Sequence, residues 1–295
     1  MKSNAGSRIF ETVNLIFFTL VAFLTLYPFW NVAVISLNDP LDTLSGGIYF
    51  WPRQFSLLSY QAIFYGNGDL VLAFSNSVVR TLGGTLLSVF STTLMAYVLS
   101  RKDFIARKLF TRIFMLTMYI NGGLIPTYVL FRQLGLMNNF LVYLLPTVIS
   151  AFYLLLMKSF MQDIPDSLKE AAVIDGANDF QIFMKVIIPV CTPVIATIAL
   201  YIAVYQWGSW QDTYFFASRK KSLTTLQYEM VKIISQATAQ KSTEQLRDQA
   251  QRGLRTTPQS IQSAIIMIAT VPILAVYPFL QKYFVKGLTL GAVKE

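Results

Sequence analysis

The chain has no histidine, a single cysteine and few charges, with Asp, Glu, Lys and Arg making up 13% of its 295 residues. Without histidine it lacks the commonest general base and the commonest metal ligand. One cysteine excludes an intramolecular disulfide, and the place of Cys191 beside an apolar run marks it as packing. No G-x-x-x-x-G-K-[ST] occurs, so the usual loop for cradling ATP phosphates is missing. None of the 15 acidic residues sits well inside an apolar run, and Asp212 lies at the edge of one. Ion-coupled carriers generally need buried carboxylates or histidines as relays. These gaps argue against an enzyme, a metal site and a secondary carrier, and no catalytic residue or metal ligand can be nominated.

What is present is apolar. The hydrophobic share is 54% and mean hydropathy is +0.51, against the roughly 25% charged residues of soluble domains. The expectation is an all-α integral membrane protein forming one transmembrane domain over residues 1–295. A membrane helix needs ~20 mostly apolar residues. Six stretches qualify: 12–36, 70–99, 112–131, 140–160, 190–210 and 258–281. The third is interrupted by Asn121-Gly122-Gly123 and Pro126. Thr257 can cap the sixth, with Pro258 at its first position. The first stretch is too long for a secretion signal and lacks a small-x-small cleavage site, so it reads as an uncleaved span.

The net charge of +9 is explained by where it falls, and nucleic acid is not needed as a partner. Short loops on one side carry thirteen Lys or Arg, and those on the other carry only Arg53 and Arg132. The positive-inside rule then puts both termini in the cytoplasm, together with the 163–189 loop. The 213–257 connection falls outside with eight basic residues, but long loops vote weakly in this rule.

The 163–189 loop is a charged island in this apolar chain. Ser167-Leu168-Lys169-Glu170 has capping-box spacing, and Gly176 can take the positive φ that ends a first short helix. Asn178 or Asp179 can cap a second, in which Phe180, Phe183 and Ile187 recur at helical spacing. By pattern alone this is an amphipathic connector or a docking surface.

The residues go further. Glu170-Ala171-Ala172, Asp175-Gly176-Ala177 and the Val186-Ile187-Ile188-Pro189 close resemble the EAA loop of ABC importer permeases. Phe74-Ser75-Asn76-Ser77, Ala96-Tyr97-Val98-Leu99-Ser100-Arg101 and the tail Gln281 to Leu288 are similar to the carbohydrate-uptake, MalG-like branch. Within that branch the chain looks nearest the subgroup of LplC and the alginate-oligosaccharide permeases, over roughly residues 12 to 295.

The resemblance implies a type I importer permease fold of six spans with a cytoplasmic EAA coupling helix, in a bacterial plasma membrane. It implies one subunit of a binding-protein-dependent importer for an oligosaccharide. The partners would be a second, different permease, two cytoplasmic ATPase subunits that hold the ATP and Mg, and an extracytoplasmic solute-binding protein. This chain would hold no cofactor. Glu170, Ala171, Ala172, Asp175, Gly176, Ala177, Phe183 and Pro189 would couple to the ATPase. The Phe180, Phe183 and Ile187 stripe would pack on the protein's own helix ends. Leu288, Thr289, Leu290 and Gly291 in the tail would also reach the ATPase. Another solute by the same mechanism, a peptide or polyol, and an ion-coupled carrier are the alternatives.

A sugar path needs aromatic faces and polar groups. Tyr205, Gln206 and Ser209 in the fifth span, Asn121 in the third and Tyr153 in the fourth are its candidates; Trp30, Trp51 and Trp210 are better interfacial anchors. In the outer connection, Leu223, Leu226, Met230 and Ile233 have amphipathic-helix spacing, and 242–253 reads as a second, polar helix.

Overall fold

The computed structural model describes residues 5–66, 69–239 and 257–292. No strand occurs among them, only an antiparallel bridge between Asn38 and Phe55. The chain falls into two compact units, Met1–Gly68 with Met230–Val271 and Asp69–Glu229 with Pro272–Glu295.

In the first unit, helix α1 (Ala5–Ser36) has no buried residue in its most apolar window. A helix apolar all round and left unburied suits lipid. Its end is tied down by Trp30, whose Nε1 donates to the Phe50 carbonyl, and by Asn31, whose Nδ2 donates to that of Ile48, both at 2.9 Å. Asp39 caps the short α2 (Pro40–Leu44), accepting from the Leu41 and Asp42 amides, and proline sits where an N–H is not needed. Helix α3 (Leu58–Gly66) ends this segment. The Asn38 carboxamide, and then the Arg53 guanidinium, hold the Asp42 carboxyl below its ordinary range.

The second unit is built on α4 (Asp69–Ser100), which packs against α7 (Ala151–Gln162) and α10 (Ile188–Gly208). Its buried face reads Ala73, Ser77, Arg80, Gly84, Ser88, Thr92, Ala96 and Leu99, a 3.6-residue rhythm of mostly small side chains. Small residues let helices approach closely without a hydrophobic driving force. Gly84 marks the closest approach, since a Cβ there would stand 2.5 Å from Gln206 Nε2, whereas one on Gly83 would meet only Leu144 Cδ2 at 3.9 Å. Gly84→Ala should therefore cost about 1–3 kcal/mol. Gly83→Ala should be nearly neutral, and thermal unfolding of the two variants compares them directly.

Between α4 and α7 lie α5 (Arg107–Tyr119), α6 (Leu124–Gln133) and two short 3-10 turns, Phe140–Tyr143 and Leu145–Thr147. After α7 come α8 (Asp166–Ile174), α9 (Asp179–Ile182) and a π turn, Phe183–Ile187, that runs into α10. A second π turn, Thr213–Ala217, leads to α11 (Leu226–Ala239), and α12 spans Pro258–Ala292. Thr257 caps α12 as expected, its Oγ1 accepting from the Ser260 amide at 3.2 Å with Pro258 first in the helix.

Among the described residues, four helices are long and apolar enough to cross a membrane: Arg8–Ser36, Leu70–Ser100, Asp179–Gly208 and Pro258–Ala275. Phe140–Thr147 and Ala151–Gln162 form a fifth candidate bent by 43°. Pro146 lies in the non-α half of that pair. These correspond to five of the six expected spans. The third, 112–131, is not one helix. Gly123 takes φ 83°, Asn121 Oδ1 accepts from the Gly123 amide at 2.9 Å, and Pro126 has no N–H to give. The chain therefore unwinds after Tyr119 and restarts at Leu124. At ~1.5 Å per residue, α5 and α6 each fall short of a ~30 Å hydrocarbon core.

The outer connection also differs in detail. Leu226 and Met230 are buried on α11 as the spacing predicts and Ile233 is half-buried, but Leu223 belongs to a separate 3-10 turn, Lys221–Leu223. Thr224 and Thr225 intervene, β-branched residues whose hydroxyls bond Glu229 and Thr213. The polar helix expected at 242–253 lies outside the described residues.

Candidate functional site

The loop from α7 to α10 has two contrasting faces. Its first helix, α8, buries none of its residues; Leu168 and Val173 are exposed and Ile174 is 85% exposed. Glu170, Ala171 and Asp175 are exposed as well, and neither carboxylate makes an ion pair among the described residues. A cleft of 580 Å³ runs beside them, lined by Ser100, Lys102, Asp103, Glu170, Val173 and Ile174 among others.

The other face is locked into the core. Ile182, Phe183 and Ile187 are buried in one cluster with Ala96 and Tyr97 of α4, Met157 and Met161 of α7, and Cys191 and Ile198 of α10. Ala172 and Ala177 pack against the same cluster, and the Tyr97 and Phe183 rings lie 5.2 Å apart. The expected Phe stripe is thus split, because Phe180 is 62% exposed while Phe183 and Ile187 are buried.

Local hydrogen bonding explains the bend. The Gly176 amide donates to the Val173 carbonyl and the Ala177 amide to that of Ala172, both at 3.0 Å, the paired bonds of a Schellman end. Gly176 has φ 79°, a left-handed conformation open to glycine. Asn178 then caps α9 in a reciprocal box, accepting from the Gln181 amide at 2.9 Å while Gln181 Oε1 accepts from the Asn178 amide at 3.0 Å. The box expected at Ser167 does not form. Pro165 occupies the N-cap with no side-chain bond, so Ser167 already lies inside α8. Pro189 follows directly on the π turn, inside the continuous helix Asp179–Gly208, and has no N–H to give it.

Ion pairs pin the loop to the end of α4. Arg101 pairs with Asp179, and with Asp103 at 2.7 Å; Lys102 meets Asp166 at 2.6 Å. The Lys102 hydrogen bond and charge, with Lys169 beyond it, hold the Asp166 carboxyl below its usual range, and Arg101 does the same for Asp103. Depressed carboxylates contribute at neutral pH and lose that contribution as pH falls through their folded values. These groups are exposed, so the pairs set geometry more than stability.

Sequence reasoning passes over Arg80, although an arginine in mid-span is its own signal. It is fully buried on α4. Its Nε donates to Gln206 Oε1 at 2.9 Å, its Nη1 to Asp212 Oδ1 and to the Ser209 carbonyl at 3.2 Å each, and its Nη2 pairs with Asp212 Oδ2. The guanidinium also stands 4.7 Å over the Tyr143 ring. Gln206 Nε2 donates onward to Thr147 Oγ1 at 2.8 Å and to the Tyr143 carbonyl at 3.3 Å.

The five path candidates are therefore spread. Gln206 and Ser209 belong to the Arg80 network, the Ser209 hydroxyl donating to Asp212 at 3.0 Å. Asn121 is taken up by its own turn, and Tyr205 is exposed. Tyr153 stacks on Tyr201 at 6.3 Å and 14°. Leu288, Thr289, Leu290 and Gly291 fall in the last turns of α12, and their side chains lie outside the described residues.

Residues 70–290 match the family described as binding-protein-dependent transport system inner membrane component. The polygalacturonan/rhamnogalacturonan transport system permease protein YtcP of Bacillus subtilis is 37% identical over 293 residues, covering 98% of this chain and 99% of that protein. Protein LplC of the same organism is 32% identical over 294 residues, covering 100% and 98%. A chain from the crystal structure of a bacterial ABC transporter involved in the import of the acidic polysaccharide alginate superimposes with a TM-score of 0.85 at 28% identity. That match covers 96% of this chain and 99% of that one.

Proposed function

The chain belongs to the family of binding-protein-dependent transport system inner membrane components, and from that premise we propose that it is one permease subunit of an oligosaccharide importer. Two ATPase subunits in the cytoplasm drive it, and an extracytoplasmic solute-binding protein feeds it. ATP and Mg are held by the ATPases. The sugar-transport names of its relatives support the cargo class.

The observation that carries this reading is the two-faced loop. An exposed helix that leaves Glu170, and Asp175 at its end, without an ion pair among the described residues, beside bare Val173 and Ile174, suits a protein partner. The opposite face shares one buried cluster with α4, α7 and α10, so a push on α8 is delivered to three membrane helices together. Closure of the ATPase dimer would move the loop as a rigid lever. Ala171, Ala172 and Ala177 permit close backbone approach; Glu170 and Asp175 meet basic groups of the ATPase. The α12 tail, Leu288 to Gly291, provides a second contact.

The broken pair α5–α6 makes the remaining crossing, giving six spans. Both termini and the α8–α9 loop face the cytoplasm, as the basic-residue count favours. Neither α5 nor α6 buries a residue, and their apolar surfaces suit a second, different permease. Tyr153, Tyr201 and Tyr205 offer aromatic faces to the path between the two permeases.

Reconstituted with its partners, the complex should hydrolyse ATP several-fold faster when loaded binding protein is added. Uptake that follows an ion gradient with no ATP dependence would sink the reading. A cysteine replacing Asp175 should resist an impermeant maleimide in intact spheroplasts and react once they are opened. Cys191 is buried and should stay silent in both.

A further inference from the structure

The turn after α6 and the π turn after α10 enclose a cleft of 420 Å³, lined by Tyr128, Arg132, Asn138, Phe216 and Arg219 among others. Its wall is fixed. The Asn138 amide donates to the Phe216 carbonyl at 2.8 Å, and the Phe216 ring lies 4.9 Å from that of Phe131 and 6.3 Å from that of Tyr128. Its charge is unspent. Elsewhere in this unit Arg80 and Arg101 are committed to carboxylates, but the guanidinium groups of Arg132 and Arg219 meet neither a carboxylate nor a hydrogen-bond acceptor among the described residues.

Asn138 is held in an unusual state. It takes φ 53°, a left-handed conformation that asparagine adopts readily, but its side-chain oxygen is buried with no donor among the described residues. A buried polar atom left without a partner calls for one supplied from outside the chain. Because Asn138 lines the cleft, rotation of its carboxamide offers that atom to a hydroxyl-rich occupant.

We propose that this cleft receives a uronate unit of the transported oligosaccharide, with its carboxylate between Arg132 and Arg219 and its ring face against Tyr128. Planar guanidinium forks match a carboxylate better than any neutral hydroxyl. An aromatic wall with a few convergent polar groups is the usual make-up of a small-ligand site, and the volume lies in that range. The inference rests on the importer reading and on its orientation, which puts this turn on the outer side, and adds the charge of the cargo. An acidic side chain of the binding protein is the rival occupant.

The test is calorimetric titration of the permease pair in nanodiscs, without binding protein, using tri-galacturonate and its methyl ester. Wild type should bind the acid about tenfold more tightly than the ester, and Arg132→Gln or Arg219→Gln should each remove about threefold from the acid alone. Equal affinities in wild type, or an undiminished preference in the double variant, would overturn the proposal. So would variants that keep the preference but lose stimulation by binding protein, which would give the cleft to that partner. A parallel uptake assay separates the two readings. An arginine-dependent preference in a complex with no ATP-driven uptake would uphold the cleft and reject the importer.

Discussion

Gly176→Pro should reduce ATP-driven uptake to background while the protein still inserts in the membrane. Gly176 combines two features that proline cannot copy, a φ of 79° and an N–H that donates to the Val173 carbonyl. Proline fixes φ near −65° and has no N–H, a local cost of ~3 kcal/mol or more. A penalty of that size lowers the ratio of native to altered bend by about a hundredfold or more. The Schellman end sets the direction of exposed α8 relative to buried Phe183, so its loss separates the pushed surface from the helices it should move. Membrane insertion should survive, because no residue of α8 is buried. Uptake into proteoliposomes, with ATP hydrolysis measured alongside, reads the effect directly. Near-normal uptake would remove the loop from the coupling pathway.

Asp212→Leu should be the most destabilising single change in the second unit, and clearly worse than Arg80→Leu. The two partners are unequally buried, with 0% of the Arg80 side chain exposed against 18% of Asp212. Removing Asp212 strands a buried cation that keeps Gln206, the Ser209 carbonyl and the face of the Tyr143 ring, but no opposite charge. Removing Arg80 leaves a carboxylate that still accepts from the Ser209 hydroxyl and the Thr213 amide. Breaking a buried pair on its worse side costs about 3–5 kcal/mol, and replacing both partners by apolar groups recovers much of it. Arg80→Leu/Asp212→Leu should accordingly be more stable than Asp212→Leu alone. Cys191, buried and the only thiol, serves as the reporter, since its labelling on heating tracks unfolding. Equal losses in the two single variants would mean the pair is not an isolated buried charge.

The sequence is most readable where covalent geometry forces the outcome. Gly176, Asn178 and Thr257 are positions at which a short list of residues can do the job, and each does what its spacing implies. Long apolar runs are legible for the same reason, since length and composition decide whether a helix can cross. Ser167 shows the limit. A capping box is a local pattern, but Pro165 starts the helix two residues earlier, and the first turn is fixed by contact with Lys102. Gln206 shows it again. From the sequence it is a polar group deep in a span, free for a ligand; in the folded chain Arg80 and Thr147 use it. Such pairings join residues 126 and 59 positions apart and leave no periodic trace. The family resemblance rested on the contiguous EAA loop and its flanking motifs, and these needed no tertiary information.

The gap between α5 and α6 carries one more implication. From Ile120 to Gly123 the chain is exposed and outside any helix, in the middle of what hydropathy treats as a crossing. Peptide groups bare to hydrocarbon cost several kcal/mol each. If α5 and α6 together make a crossing, that short stretch is bathed in water or roofed by another subunit and faces away from lipid.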